Sequence, residues 1–96
     1  MSANYPVVPS FRLITPIVID GTAQQVVYTG TPQKGIMLQA PAANIGKVYV
    51  GPDNTVAATK GLELAPGQSL LLPLGTNAII YVKGASAGDR VHGAVI

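Results

Sequence analysis

The stretch IMLQAPAANIGKVYVGPDN, residues 36–54, decides the fold class because apolar and polar side chains alternate within it. Successive side chains of a strand point to opposite faces, so this period of two predicts two strands with one buried face each. Gly51-Pro52-Asp53-Asn54 has proline at the second position, which favours a type I turn after the second strand. The apolar positions expected in the core are Ile36, Leu38, Ala40, Val48 and Val50.

The rest of the chain is divided into short segments by glycine and proline, 11 and 8 of its 96 residues. No window of ten or more residues keeps a helical apolar period free of them. Ala65-Pro66-Gly67-Gln68 favours a type II turn, and Pro16 favours an edge position or a break in the strand at 12–19. About seven or eight short strands result, the second of them at 25–29, at spacings of roughly eight to twelve residues. The sequence predicts an all-β fold, a small antiparallel β-sandwich or a jelly-roll-like barrel.

Two segments, Leu70–Leu72 and Ala78–Val82, are apolar without alternation. A strand that is apolar on both faces is expected to be covered on both sides. Residues 64–82 carry no charge and are long enough to raise the question of a membrane span. Their prolines and glycines instead predict strand, turn and strand, so no membrane interaction is expected.

The length predicts one domain, residues 12–96, preceded by an extended N-terminal arm, residues 1–11. Pro6 and Pro9 favour an extended path that cannot join a central strand. The arm is apolar and has no charged side chain, which is not the composition of a solvated tail. Docking on a sheet edge or in a groove of a neighbouring chain is favoured over the alternative, a disordered arm. The candidate partner-contact residues are Tyr5, Val7, Val8 and Phe11.

Catalytic chemistry has few residues available. The chain has no cysteine, one histidine and four Asp or Glu residues, and its six Lys and Arg residues are spread singly. We therefore expect no enzyme, no catalytic residue, no metal or other cofactor and no small-molecule substrate. A net charge of +2 without a basic cluster also argues against nucleic-acid binding.

Five features of the sequence suggest a functional site, and for each of them a structural role is favoured. His92 is a potential general base or pH switch, but a surface or interface histidine on an alternating strand is favoured. Asp20, and Asp53 with Asn54, fit turns better than a cation site. Residues 84–88 lack the lysine and helix of a phosphate-binding loop, so a loop between strands is favoured. The tyrosines offer a sugar-stacking platform, but core or interface packing is favoured for Tyr5, Tyr28, Tyr49 and Tyr81.

The composition indicates association with other chains. Hydrophobic residues make up 48% of the chain and charged residues 10%, against about 25% charged in an average domain. A globular chain of this size buries only roughly two thirds of the surface that its unfolded form exposes. Either the surface is unusually apolar, or part of it is expected to lie against other chains.

Three sequence blocks between Ile36 and Val95 resemble those of small β-sandwich virion proteins of tailed phages. The blocks are Asn-x-Gly-x-Val-Tyr-Val-Gly at 44–51, Leu-x-Pro-Gly-x-Ser at 64–69, and Tyr-Val at 81–82 followed by Gly-Asp-x-Val at 88–91. The resemblance to capsid decoration (cement) proteins implies a homotrimer that binds the major capsid protein. It also implies a chain made in the host cytoplasm and located on the capsid surface of the virion. The alternative is a tail, neck or fibre module that recognises a carbohydrate or a receptor.

Overall fold

Two four-stranded antiparallel sheets make up the protein in a computed structural model, which describes residues 12–32, 34–75 and 77–96. The all-β prediction and the predicted β-sandwich are thereby confirmed. The expected arm, with Tyr5, Val7, Val8 and Phe11, lies outside the described residues. The strands are β1 (Arg12–Val18), β2 (Gln24–Gln25), β3 (Ile36–Gln39), β4 (Val48–Gly51), β5 (Leu62–Leu64), β6 (Ser69–Leu72), β7 (Tyr81–Gly84) and β8 (Arg90–Val95).

The strand order is that of a jelly roll. The first sheet has the order β1-β8-β3-β6 and the second sheet the order β2-β7-β4-β5. The first strand pairs with the last, the second with the seventh, the third with the sixth and the fourth with the fifth. This nested pairing is what results when one long hairpin is wound into two facing sheets.

The core lies between the two sheets and uses the alternating positions of the sequence. All five residues expected from the 36–54 pattern are buried. They pack with side chains from the other strands, so both sheets contribute to one cluster. Its members are Ile14, Ile19, Val26, Ile36, Leu38, Ala40, Val48, Val50, Leu64, Ile80, Val82, Val91 and Val95.

Strand boundaries differ from the prediction mainly at β2 and β7. The second strand was expected at 25–29 and covers Gln24–Gln25, while β7 covers Tyr81–Gly84 rather than 78–82. Beyond β2 the two segments stay close: Val26 N–H donates to Ile80 O at 2.8 Å, and the Tyr28 hydroxyl donates to Ala78 O at 2.9 Å. The Tyr28 side chain thus makes a hydrogen bond where the backbone pairing of β2 with the segment before β7 has ended. Pro16 behaves as predicted, since β1 is an edge strand whose register shifts between Ile14 and Ile17.

The turn at 65–68 confirms its prediction. Gln68 N–H donates to Ala65 O at 2.9 Å, and Gly67 has a φ of 88°, the left-handed region that position three of a type II turn requires. The turn expected at 51–54 is displaced. Its backbone bond joins Val56 N–H to Asp53 O at 3.3 Å, because the Asp53 carboxylate accepts bonds from the backbone and hydroxyl of Thr55.

Asp20 forms the same kind of turn as Asp53, accepting hydrogen bonds from the hydroxyl and backbone of Thr22. Hydrogen bonds to the charged form hold the pKa of both carboxyls below the ordinary value of 3.8. A depressed folded-state pKa stabilises the protein above the unfolded pKa. That contribution is lost as the pH falls through the folded pKa.

The two unalternating segments are not covered on both sides within a single chain. Leu71 on the edge strand β6 is 49% exposed, and Ile79 before β7 is 56% exposed. The expectation of full cover is therefore wrong for the isolated chain, because one layer of strands covers only the inward face. No helix of membrane-spanning length and hydropathy occurs in the described ranges.

Candidate interaction surface

The outward face of the first sheet carries one apolar side chain from each of its four strands, in register. Leu13 on β1 lies opposite Ala94 on β8, Ala94 opposite Met37 on β3, and Met37 opposite Leu71 on β6. Residues directly opposite each other in an antiparallel pair point to the same face. These four residues, here called the apolar row, therefore form a continuous strip across the sheet. Leu13 is 79% exposed, so the strip is accessible from solvent.

The surroundings of the apolar row are polar but almost uncharged. The next outward row consists of His92, Gln39 and Ser69. Beyond it Arg90 lies opposite Val18, and Arg90 is the one charged side chain among these paired outward positions of the described residues. Covering this face removes few charges from water, which is the costly part of forming an interface.

The outward face of the second sheet has a different character. Lys47 and Glu63 form an exposed ion pair with 3.2 Å between Nζ and Oε2. Tyr49 lies opposite both Glu63 and Lys83, so charged groups surround it on the outward side. The two faces of the sandwich are thus chemically distinct, one apolar and one charged, and only the first is suited to close packing against a similar surface.

A polar cluster fixes the β3–β4 loop to the start of β8. Asp89 is 5% exposed, and its two carboxylate oxygens accept hydrogen bonds from Ile45 N–H at 2.9 Å and Gly46 N–H at 2.8 Å. Asn44 donates from Nδ2 to Arg90 O at 2.8 Å and accepts from Arg90 N–H at 2.9 Å. We call these four bonds the Asn44–Asp89 brace.

The brace explains why two of the sequence blocks occur together. One block supplies Asn44 and Gly46, and the other supplies Asp89. The contact between the two blocks could not be predicted from the sequence, because Asn44 and Asp89 lie 45 positions apart. The signal was a lone carboxylate following a glycine at the start of a strand, where backbone amides are the available partners. The brace is structural, since it joins a loop to a strand and its carboxylate is already satisfied.

A cleft of about 590 Å³ opens at one end of the sandwich, between the edge strands β5 and β6. Its rim carries Asp53, Thr55 and Lys60 from the β4–β5 loop. Leu62 is 53% exposed and Ile79 56% exposed, so large apolar side chains meet solvent there. The apolar residues that line the cleft are Val50, Leu62, Leu72, Leu74, Ile79 and Ile80.

The β4–β5 loop lines one side of the cleft and packs around the buried side chain of Val56. Val56 is buried at 2% exposure and is the one large apolar side chain in the loop sequence Asp-Asn-Thr-Val-Ala-Ala-Thr-Lys at 53–60. A Cβ atom on Gly51 or Gly61 would come within 2.9 Å of the Val56 side chain, so both positions need glycine to admit it. The burial of Val56 could not be predicted from the sequence, because a single large apolar residue in a loop gives no periodic signal.

The structure does not gather the titratable residues into a site. His92 is exposed on the outward face of β8, as expected for a surface histidine on an alternating strand. No group of three or more His, Asp or Glu side chains within the part of the chain that the structure describes is placed to hold a metal ion. Residues 85–89 connect β7 to β8 as a loop, with Ala85 N–H donating to Lys47 O at 3.1 Å.

Three of the tyrosines do not form one platform. Tyr28 is half-buried against the core and uses its hydroxyl for the bond to Ala78. Tyr49 and Tyr81 are half-buried on β4 and β7, on the outward face of the second sheet. Tyr5 lies outside the described residues. The shared exposed face that a sugar-stacking platform requires is therefore not formed by Tyr28, Tyr49 and Tyr81.

Comparisons of this chain with protein-family models, with curated proteins and with solved structures find no match.

Proposed function

We propose that this chain is a structural virion protein of a tailed phage, a capsid decoration protein that binds the outside of the head shell as a homo-oligomer. The observation that carries the proposal is the apolar row, which leaves Leu13, Met37 and Leu71 accessible on a face whose described, paired outward positions include one charged side chain. An accessible apolar strip of this kind is typical of a surface that meets another protein.

Two further features support the proposal. The three sequence blocks resemble those of capsid decoration proteins, and the Asn44–Asp89 brace gives two of them a shared structural purpose. The jelly roll is a fold that viral capsid domains use, although lectin domains and cupins use it as well. The jelly-roll fold therefore supports the proposal by analogy, because one fold hosts many functions.

We assign self-association to the outward face of the first sheet and capsid binding to the outward face of the second, according to the chemistry of each face. The apolar row packs against a second copy of the chain, and the partners of the assembled homotrimer are neighbouring copies of the major capsid protein. The charged face with Lys47, Glu63 and Lys83 then remains free for polar contacts with the shell. Each contact is modest, and joined copies bind together through their high effective concentration.

The proposal is tested by adding purified protein to heads of the phage whose genome encodes it and reconstructing the particles by electron cryo-microscopy. We expect density at symmetric positions on the outer shell. The same density should be lost with Met37→Asp/Leu71→Asp and retained with Val27→Asp/Thr59→Asp, which makes the same charge change at exposed positions outside the apolar row. Density confined to the tail or fibres would support the receptor-binding alternative and overturn the assignment.

A further inference from the structure

The apolar row is too small to hold an oligomer together by itself. Four strands about 4.8 Å apart, with about four paired residues each at about 3.4 Å, give the outward face a projected area on the order of 300 Å². A stable interface buries about 800 Å² on each partner. A self-associating chain of this shape therefore needs a second contact elsewhere.

The β5–β6 cleft offers the surface for that contact. It is apolar inside, its wall is held by Val56, and it lies between two edge strands that each pair on one side only. An unpaired strand edge beside apolar side chains accepts an extended peptide, whose backbone adds to the sheet while its side chains fill the groove. The chemistry therefore requires an extended, uncharged, apolar segment as the occupant.

Residues 1–11 have the matching composition. They carry no charged side chain, and Pro6 and Pro9 favour an extended path. We propose that the β5–β6 cleft binds the segment Tyr5–Phe11 of a neighbouring copy of this chain. This inference rests on the self-association in the proposed function, and it adds the site and the segment through which the copies are linked.

The position of Arg12 favours the neighbouring copy over the same chain. Arg12, where the described structure begins, lies opposite Val95, which lies opposite Ile36, which lies opposite Leu72 in the cleft. Three strand spacings, about 14 Å, separate the two ends of this row. An extended chain covers about 3.3–3.6 Å per residue, so about four residues would be used in crossing the sheet. Phe11 and Val8 would then lie outside the chain's own cleft.

The absence of cysteine allows a direct test in the 96-residue chain. Val8→Cys and Leu62→Cys are made as separate variants, mixed, and oxidised, so that a disulfide between the two positions joins two chains. We expect a covalent dimer that contains one chain of each variant. Ile45→Cys is the matched control, since Ile45 is 83% exposed and lies outside the cleft, and it should give little of this product with Val8→Cys.

Each remaining outcome counts against the inference. A Val8→Cys/Leu62→Cys double variant that closes a disulfide within one chain, while the mixture gives no dimer, shows that the segment occupies its own cleft. No disulfide in either experiment shows that the cleft takes another occupant. If the native mass is still that of an oligomer, the failure belongs to this inference alone. A monomeric native mass means that the proposed function fails as well.

Discussion

Replacing Asp89 with alanine is expected to lower the free energy of unfolding by about 3 kcal/mol. The substitution removes the two carboxylate acceptors of the Asn44–Asp89 brace and leaves the amides of Ile45 and Gly46 without their partners. A partly buried donor that loses its partner costs about 1–3 kcal/mol. The measurement is urea unfolding followed by tyrosine fluorescence, at one fixed protein concentration because association also stabilises the folded state.

Two further variants test whether the loss of the Asp89 hydrogen bonds causes this destabilisation. Asp20→Ala removes a carboxylate that accepts two bonds from Thr22 but is exposed, so water can replace those bonds and the free energy of unfolding should fall much less than for Asp89→Ala. Asp89→Asn keeps one acceptor and should fall between the wild type and Asp89→Ala. Equal unfolding free energies for Asp89→Ala and Asp20→Ala would show that the brace does not hold the β3–β4 loop to β8.

The double substitution Met37→Asp/Leu71→Asp is expected to weaken self-association by about 100-fold or more. The two positions lie opposite each other in the apolar row, so two carboxylates would be buried side by side against a second copy. Both side chains point outward and are more than one third exposed in the single chain, so the fold should be retained. The measurement is sedimentation velocity over a concentration series, with circular dichroism as the check on folding.

Val27→Asp/Thr59→Asp is the control for charge. Val27 is 75% exposed and Thr59 is exposed, and neither belongs to the apolar row. This variant makes the same change in net charge and should associate like the wild type. If both double variants associate like the wild type, the apolar row is not the contact. If both dissociate equally, net charge controls the association and the row has no special part in it.

Local features of the fold were predictable because neighbouring residues determine them. Alternation at 36–54 marks side chains that the two sheets cover, and Pro66-Gly67 dictates the conformation of its own turn. The turn at Asp53 shows where prediction from neighbouring residues fails. Pro52 favoured a turn at 51–54, but the hydrogen-bonded turn lies two residues later, at 53–56, where the Asp53 carboxylate also bonds to Thr55.

The apolar row and the β5–β6 cleft could not be predicted from the sequence, because both depend on pairing between distant strands. The apolar row takes its members from positions 13, 37, 71 and 94, and a shift of one residue in any pairing would turn its side chain to the other face. The cleft likewise needs β5 and β6 at the same side of the sandwich, which follows from the jelly-roll order. The sequence indicated only that apolar surface would be left over.

Self-association of the 96-residue chain is the central claim, and the chain's native mass in dilute solution tests it most directly. Sedimentation equilibrium at micromolar concentration should give a multiple of the 9.8 kDa chain mass, with three chains as the expected number. A mass of one chain that stays constant as the concentration is raised a hundredfold would contradict the claim.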